Sequence, residues 1–321
     1  MARLLVTGAS GLLGANLVLE AMGSHQVTAV THSHPLKIPG VVAYQADLAD
    51  GEAARALIAE AAPEWIVHCA AATDLDGCEF DPVMAHRLNR DMAGHVAAAA
   101  SSQEAAFVLI STDAVFDGLE GNYAETADPN PLSVYGRSKL EGERAVLTAH
   151  PQAVVVRTNI YGWNAQAKQS LAEWFLHRCR NGIRSPGWTD VWSTPILVND
   201  LAGIILRLLA SGLGGIYHVG GATCLSKHDF GRRVAAAFDL DPNLIESASI
   251  LRAGLAAPRP RRLCLRGEKV EAVLGVRLPT VKEGLERFRR MQDDGWPRRL
   301  RGALAADGTT PAPAGREERH R

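Results

Sequence analysis

Three glycines, Gly8, Gly11 and Gly14, stand between a short apolar run, Leu4-Leu5-Val6-Thr7, and an amphipathic stretch beginning at Leu12. A strand, a glycine turn and a helix in that order form the geometry that receives a pyrophosphate. Glycine lets backbone N–H groups approach phosphate oxygens, and the helix N-terminus adds unpaired donors and a favourable dipole. The spacing is G-x-x-G-x-x-G rather than G-x-G-x-x-G. A flexible turn is therefore the alternative, and placement is what favours a dinucleotide cradle. Gly8, Ser10, Gly11, Leu12, Leu13 and Gly14 become candidate cofactor contacts.

The rest of the first half continues the same alternation. Short β-branched runs at 4–7, 27–30, 41–44, 65–69, 107–110 and 153–157 are separated by alanine-rich amphipathic stretches at 12–22, 52–61, 82–101 and 132–149. Pro63 and Pro151 follow two of these stretches, where proline ends a helix. The pattern predicts an α/β fold with a doubly wound, Rossmann-like parallel sheet over residues 1–158. Beyond it a smaller substrate lobe is expected over 159–294, with the chain re-entering the first domain around 190–219. Asn199 or Asp200 is read as the cap of a helix, Ser226 as the cap of another running to Phe238. From 295 to 321 the chain turns to Arg, Gly, Ala and Pro without apolar periodicity, and a disordered tail is expected.

A chain of 321 residues with a formal net charge of −1 offers no bulk electrostatic case for nucleic acid or a membrane surface. No stretch is apolar enough to span a bilayer, and the N-terminal run is too short for a signal peptide. Cys69, Cys78, Cys179, Cys224 and Cys264 are odd in number and lack C-x-x-C spacing. No disulfide framework is expected, and a reducing cytoplasm is the natural setting.

The chemistry lies further along. Tyr135 and Lys139 are four residues apart, so on a helix they share a face, and Ser111-Thr112-Asp113 ends the fifth apolar run. A free phenol titrates near pH 10, and a neighbouring ammonium is expected to lower that value. In a reduction, hydride passes from nicotinamide to the carbonyl carbon while Tyr135 protonates the developing alkoxide. Thr112 holds the substrate oxygen, with Ser111 as its competitor, and Lys139 also reaches the nicotinamide ribose. Taken alone, Y-x-x-x-K is a helix-surface pair. Its position after a fifth strand and downstream of a glycine turn makes Thr112, Tyr135 and Lys139 the candidate catalytic set.

A carboxylate after the second strand would hold the ribose 2′-OH of NAD. Here the segment reads Val30-Thr31-His32-Ser33-His34-Pro35-Leu36-Lys37. Thr31, His32 and Lys37 tolerate a 2′-phosphate better, so NADPH is preferred, with NADH as the alternative. A metal site at His32 and His34 lacks further ligands, and no metal is expected. Asp47 and Leu48 are candidate adenine contacts, although an aspartate there also suits a helix cap.

With these residues in place, the chain resembles an extended short-chain dehydrogenase/reductase, and more narrowly the dTDP-4-dehydrorhamnose reductase family. The resemblance runs from Leu4 to about Leu278. It rests on the glycine turn, on His68-Cys69-Ala70-Ala71-Ala72-Thr73-Asp74, on Asn89, and on Ser111-Thr112-Asp113-Ala114-Val115-Phe116-Asp117-Gly118. Tyr123-x-Glu125, the segment from Pro131 to Glu143 around Tyr135 and Lys139, Arg157-Thr158 and Pro258-x-Pro260 complete it. The resemblance implies reduction of a 4-keto sugar on a nucleoside diphosphate. It assigns Ala70, Ala71, Ala72 and Asn89, with Asp47 and Leu48, to the cofactor. It makes Asp113, Trp163 and Thr194 candidate substrate contacts beside Thr112. A nucleotide-sugar substrate is the partner it implies, and a homodimer is allowed.

Related functions divide on particular residues. Sugar-nucleotide dehydratases of this fold carry Asp-Glu after the threonine, whereas this chain has Asp113-Ala114. An epimerase retains NAD, and the missing acidic residue after the second strand argues against it. Non-catalytic regulatory subunits share the fold, but the intact Thr112, Tyr135 and Lys139 set favours an enzyme.

Overall fold

Along β1 (Arg3–Thr7), Leu4 and Val6 pack on one face of the sheet and Leu5 on the other. That period-two alternation suits a sheet covered by helices on both sides. The structure, a computed structural model, describes residues 1–304. The strands β2 (Gln26–Thr31), β3 (Val42–Gln45), β4 (Trp65–His68), β5 (Ala106–Thr112) and β6 (Val154–Thr158) follow. Between the strands run α1 (Leu12–Ala21), α2 (Gly51–Ala61), α3 (Leu75–Phe80), α4 (Pro82–His86), α5 (Met92–Ser102) and α6 (Val134–Ala149).

The second half contributes β7 (Ile160–Tyr161), α7 (Leu171–Arg180), β8 (Ser185–Trp188), β9 (Trp192–Ser193), β10 (Ile196–Leu197), α8 (Val198–Ser211) and β11 (Gly215–His218). It continues through β12 (Leu225–Ser226), α9 (Lys227–Ala237), β13 (Ile245–Ala248), α10 (Glu268–Leu274), α11 (Val281–Asp293) and α12 (Trp296–Ala303). The main sheet has seven strands in the order β11-β6-β5-β4-β1-β2-β3, all parallel. The order reverses between β1 and β4, so the glycine turn after β1 opens at the carboxyl edge, where such sheets bind ligands. The later half returns α8 and β11 to this sheet. Tyr161, Trp163, Phe175, Phe230 and Phe288 build a separate aromatic core in the lobe beyond it. Among the described residues no helix is long and apolar enough to cross a membrane.

Several expectations are corrected. The stretch 82–101 is helical throughout, as read, but a π-helical turn at Arg87–Asp91 interposes between α4 and α5. α8 begins at Val198 without a side-chain cap, because Asn199 donates to Asn16 and Glu20 while Asp200 pairs with Arg287. Ser226 does cap α9, its Oγ accepting from the Asp229 N–H at 3.0 Å. Residues 296–303, read as disordered, form α12. Leu300 and Ala303 are buried, and Trp296 donates to Asn16 Oδ1 at 2.7 Å. Surrounding arginines hide that apolar stripe in the sequence. The remainder of the expected tail, 305–321, lies outside the described residues. Cys224 and Cys264 form a disulfide with Cα atoms 5.6 Å apart, a pairing that a separation of 40 residues concealed.

Inside the first domain, Glu143 on α6 and Arg157 on β6 form an ion pair at 2.7 Å with each side chain 2% exposed. Arg157 Nε also donates to Glu143 Oε1 at 3.0 Å, and Ser111 Oγ donates to the same oxygen at 2.5 Å. Removing one member leaves an uncompensated buried charge. Arg157→Met should therefore lower unfolding free energy by roughly 3 to 5 kcal/mol in an equilibrium urea titration. A loss below about 1 kcal/mol would show that the pair does not anchor α6.

Candidate active site

The glycine turn leaves little room at two places. Gly8 has φ +61°, and a Cβ there would lie 2.6 Å from the Ala70 nitrogen; one on Gly14 would lie 2.2 Å from the Gly8 carbonyl oxygen. These approaches draw α1 and the end of β4 tightly around the turn. Gly11 caps α1 with no side chain, and the first turn of α1 carries no acidic residue. Its orphan N–H groups thus meet a cleft without a competing carboxylate, which suits phosphate oxygens. Ser10 also lines this cleft, and its carbonyl accepts from Gln166 Nε2 at 3.0 Å.

The cleft measures about 1280 Å³ and runs from the glycine turn to the C-terminal lobe. That exceeds the 300–1,000 Å³ or so typical of a site for one small ligand, leaving room for a dinucleotide and a second molecule. Leu12, Leu13, Thr31, His32, Asp47, Leu48, Ala70 and Ala71 all line it. Asp47 accepts from Arg87 at 2.7 Å and from the Ala49 N–H at 3.0 Å, so its charge is largely spent. Lys37 is not among the lining residues; His34 and Ser33 are.

Ala72 and Asn89 do not line the cleft. Ala72 packs against Cys78, Ala85 and Val134 instead, its backbone held there by Asn89. Asn89, 1% exposed, accepts from the Ala72 N–H at 2.8 Å and donates to the Ala72 carbonyl at 3.0 Å and to Ser138 Oγ at 3.0 Å. It positions the strand end and α6 together. The π turn carries it there, a local irregularity of the kind found at functional sites.

On the central wall stand Thr112, Asp113, Tyr135 and Lys139. The Thr112 hydroxyl stands beside the Tyr135 phenol on this wall and accepts from the Ala114 N–H at 3.1 Å. It also donates to Asp113 Oδ1 at 3.2 Å. Ser111 is excluded as its competitor, since its hydroxyl is engaged by Glu143. Lys139 Nζ donates to the Ile110 carbonyl at 2.7 Å, and burial holds its ammonium down to about 8. The expectation that Lys139 makes the phenol acidic is corrected. Burial pushes Tyr135 up to about 12, the Thr112 hydroxyl opposes this, and the Asp113 charge adds to it. The phenol therefore keeps its proton, the form needed to protonate an alkoxide. Cys69, pushed up to about 12 by burial, is no nucleophile.

Asp113 is 3% exposed and accepts from Asn159 Nδ2 at 2.9 Å. Burial raises its carboxyl to about 6, against the pull of Asn159, Thr112 and Lys227. Two other expected substrate contacts fall away. Trp163 is 4% exposed, stacks on Phe288 with centroids 4.1 Å apart and donates to the Phe288 carbonyl, all within the lobe core. Thr194 is buried and accepts from the Leu265 N–H at 3.2 Å. Trp188, Trp192, Lys227 and Arg259 line the cleft instead. Four of the six tryptophans fall within 163–192, a signal that could have found the first two; nothing in the sequence marked Lys227, which follows a helix cap like any surface lysine. Among the described residues no group of three His, Cys, Asp or Glu side chains is placed to hold a metal ion.

Comparison with known proteins agrees with this geometry. The sequence pattern of the RmlD substrate binding domain family matches residues 2–292. The chain is 36% identical over 286 residues to the probable low-salt glycan biosynthesis reductase Agl14 of Haloferax volcanii, covering 87% of this chain and 95% of that one. It is 33% identical over 287 residues to methionine adenosyltransferase 2 subunit beta of Xenopus tropicalis, covering 86% and 84%. The crystal structure of dTDP-4-dehydrorhamnose reductase from Bacillus anthracis in complex with NADP superposes with a TM-score of 0.79 at 27% identity, over 90% of this chain and 99% of that chain.

The buried carboxylate carries a stability signature. Unfolded, Asp113 releases its proton near 3.8; folded, it holds it to about 6. Between those values the folded state binds the extra proton, so the burial penalty is absent below the lower value and complete above the higher one. Asp113→Asn should raise unfolding free energy at pH 8 by up to about 3 kcal/mol, with the gain disappearing near pH 3.5 in a series of denaturant titrations. An equal gain at both pH values would contradict the assignment.

Proposed function

Because the chain belongs to the RmlD substrate binding domain family, we propose that it reduces the 4-keto group of a nucleoside-diphosphate sugar at the expense of NADPH. The observation that carries the reading is the Thr112–Tyr135 hydroxyl pair on the wall of a cleft that also holds the uncapped N-terminus of α1. The protein is an oxidoreductase of the extended short-chain type, and its cofactor is NADP or NAD. NADPH comes first because Thr31, His32, Ser33 and His34 meet the cleft at the end of β2 without a carboxylate among them.

When bound, the nicotinamide cofactor supplies hydride to a carbonyl carbon. The chain's own residues do the rest. The α1 N-terminus and the glycine turn hold phosphate oxygens, and Ala70 and Ala71 keep the neighbouring wall low. Thr112 orients the substrate oxygen toward the Tyr135 phenol, and Tyr135 gives up its proton as the alkoxide develops. An alkoxide is a far stronger base than a phenolate, so transfer runs downhill even from a phenol held at about 12. The Lys139 ammonium, fixed by the Ile110 carbonyl, stays on the same face of α6 as the phenolate left behind.

The similarity to a methionine adenosyltransferase regulatory subunit raises a binding-only reading. The complete hydroxyl pair and the Lys139 ammonium favour turnover. Wild-type protein should oxidise NADPH when given dTDP-4-keto-6-deoxy sugars. Tyr135→Phe should lower kcat by about 10²- to 10⁴-fold while fluorescence titration shows NADPH affinity within threefold of wild type. NADPH binding without turnover of any keto sugar by the wild type would support the regulatory reading instead.

A further inference from the structure

Basic side chains line the cleft from end to end, with Lys139 on its central wall and Lys168 in the segment after Asn164. His32, His34 and Arg87 stand beside the expected adenosine end, and Arg87 is paired with Asp47. Lys227 and Arg259 come from the C-terminal lobe and from the 258–260 segment. We propose that Lys227, with Arg259 beside it and Trp188 beneath it, binds the diphosphate of the nucleotide sugar. The assignment rests on the sugar-nucleotide reading above and adds the residue that recognises this part of the substrate.

Lys227 is held firmly. It is the first residue of α9, its N–H donates to the Val191 carbonyl at 2.9 Å, and the antiparallel pairing of β12 with β9 sets Ser226 against Trp192. Its ammonium lies 4.6 Å from the Trp188 ring centroid. Among the described residues it makes neither a side-chain hydrogen bond nor an ion pair. Its nearest counter-charge is Asp113, whose oxygens are already met by Thr112 and Asn159. Arg259 pairs with Asp76 at 3.1 Å, and Asp76 Oδ1 accepts from the Ala257 N–H at 2.8 Å, which pins this segment across the cleft.

An ammonium in such a place is under-compensated: burial and Arg259 hold Lys227 down to about 8, and Asp113 only partly restores it. A fixed, partly desolvated cation beside a guanidinium suits a ligand that brings two negative charges. A neutral sugar hydroxyl would leave Lys227 under-compensated, since Arg259 already has Asp76. The indole face of Trp188 is taken by the ammonium, so Trp192, 37% exposed, is the aromatic surface free to meet the base.

The test is calorimetric titration of the NADP⁺-saturated protein with thymidine or uridine diphosphate and with the corresponding monophosphates. Lys227→Gln should weaken diphosphate binding at least tenfold and erase the preference for diphosphate over monophosphate, with NADP⁺ affinity within twofold. Lys227→Arg should recover most of the lost affinity. Diphosphate binding by Lys227→Gln at wild-type strength overturns the assignment, as does a parallel loss of NADP⁺ affinity, which would mark a structural residue. Wild-type protein that binds NADP⁺ but no nucleoside diphosphate would remove the sugar-nucleotide reading itself, and this inference with it.

Discussion

Tyr135, Lys139 and Glu143 lie four residues apart on one face of α6, and each meets one of the last three residues of β5. Glu143 accepts from Ser111, Lys139 donates to the Ile110 carbonyl, and Tyr135 faces the Thr112 hydroxyl. Arg157 on β6 locks the far end of this row through its buried ion pair with Glu143. Helical periodicity turns three contacts into one register, so the phenol cannot shift along the strand end without breaking a buried charge pair. The fit is close elsewhere along α6. A Cβ on Gly136 would lie 2.3 Å from the Ala114 carbonyl oxygen, and one on Gly142 would lie 2.1 Å from that of Asn89.

The register carries an electrostatic consequence. Asp113, Tyr135 and Lys139 are all moved by burial toward their neutral forms. Such a cluster is expensive for folding and useful for chemistry, because donors fixed in a dry site need no reorganisation when charge develops. Asp113 cannot serve both neighbours equally: its charge raises the phenol and supports the Lys227 ammonium across the cleft. The Tyr135 wall and the Lys227 side of the cleft are thereby coupled through one carboxylate.

The glycine turn, the doubly wound parallel sheet and the nearness of Thr112, Tyr135 and Lys139 to one another were legible in the sequence because each depends on neighbours within one supersecondary unit. What the sequence hid was orientation and distance. Ala70, Ala71 and Ala72 are identical in type, yet Ala72 turns away from the cleft. Trp163 and Trp192 belong to the same aromatic-rich stretch, and only the packing of Phe288 decides that Trp163 is core. Lys227, Arg259 and Asp76 meet from segments far apart along the chain, and Cys224 and Cys264 from segments 40 residues apart. The role of Asn89 depends on a π turn that no helical periodicity announces. Spacing along α6 reveals Lys139 beside Tyr135 but not the burial of the ring, and burial sets the direction of the Tyr135 shift.

The central claim is that hydride and proton converge on one carbonyl group held between Thr112, Tyr135 and the nicotinamide ring. Turnover of a dTDP-4-keto sugar with NADPH deuterated at the transferable C4 position tests it most directly. One deuterium should be recovered in the product, on the former carbonyl carbon, as read by mass spectrometry and proton NMR. A product without deuterium, with its new C–H hydrogen drawn from solvent, would contradict the account.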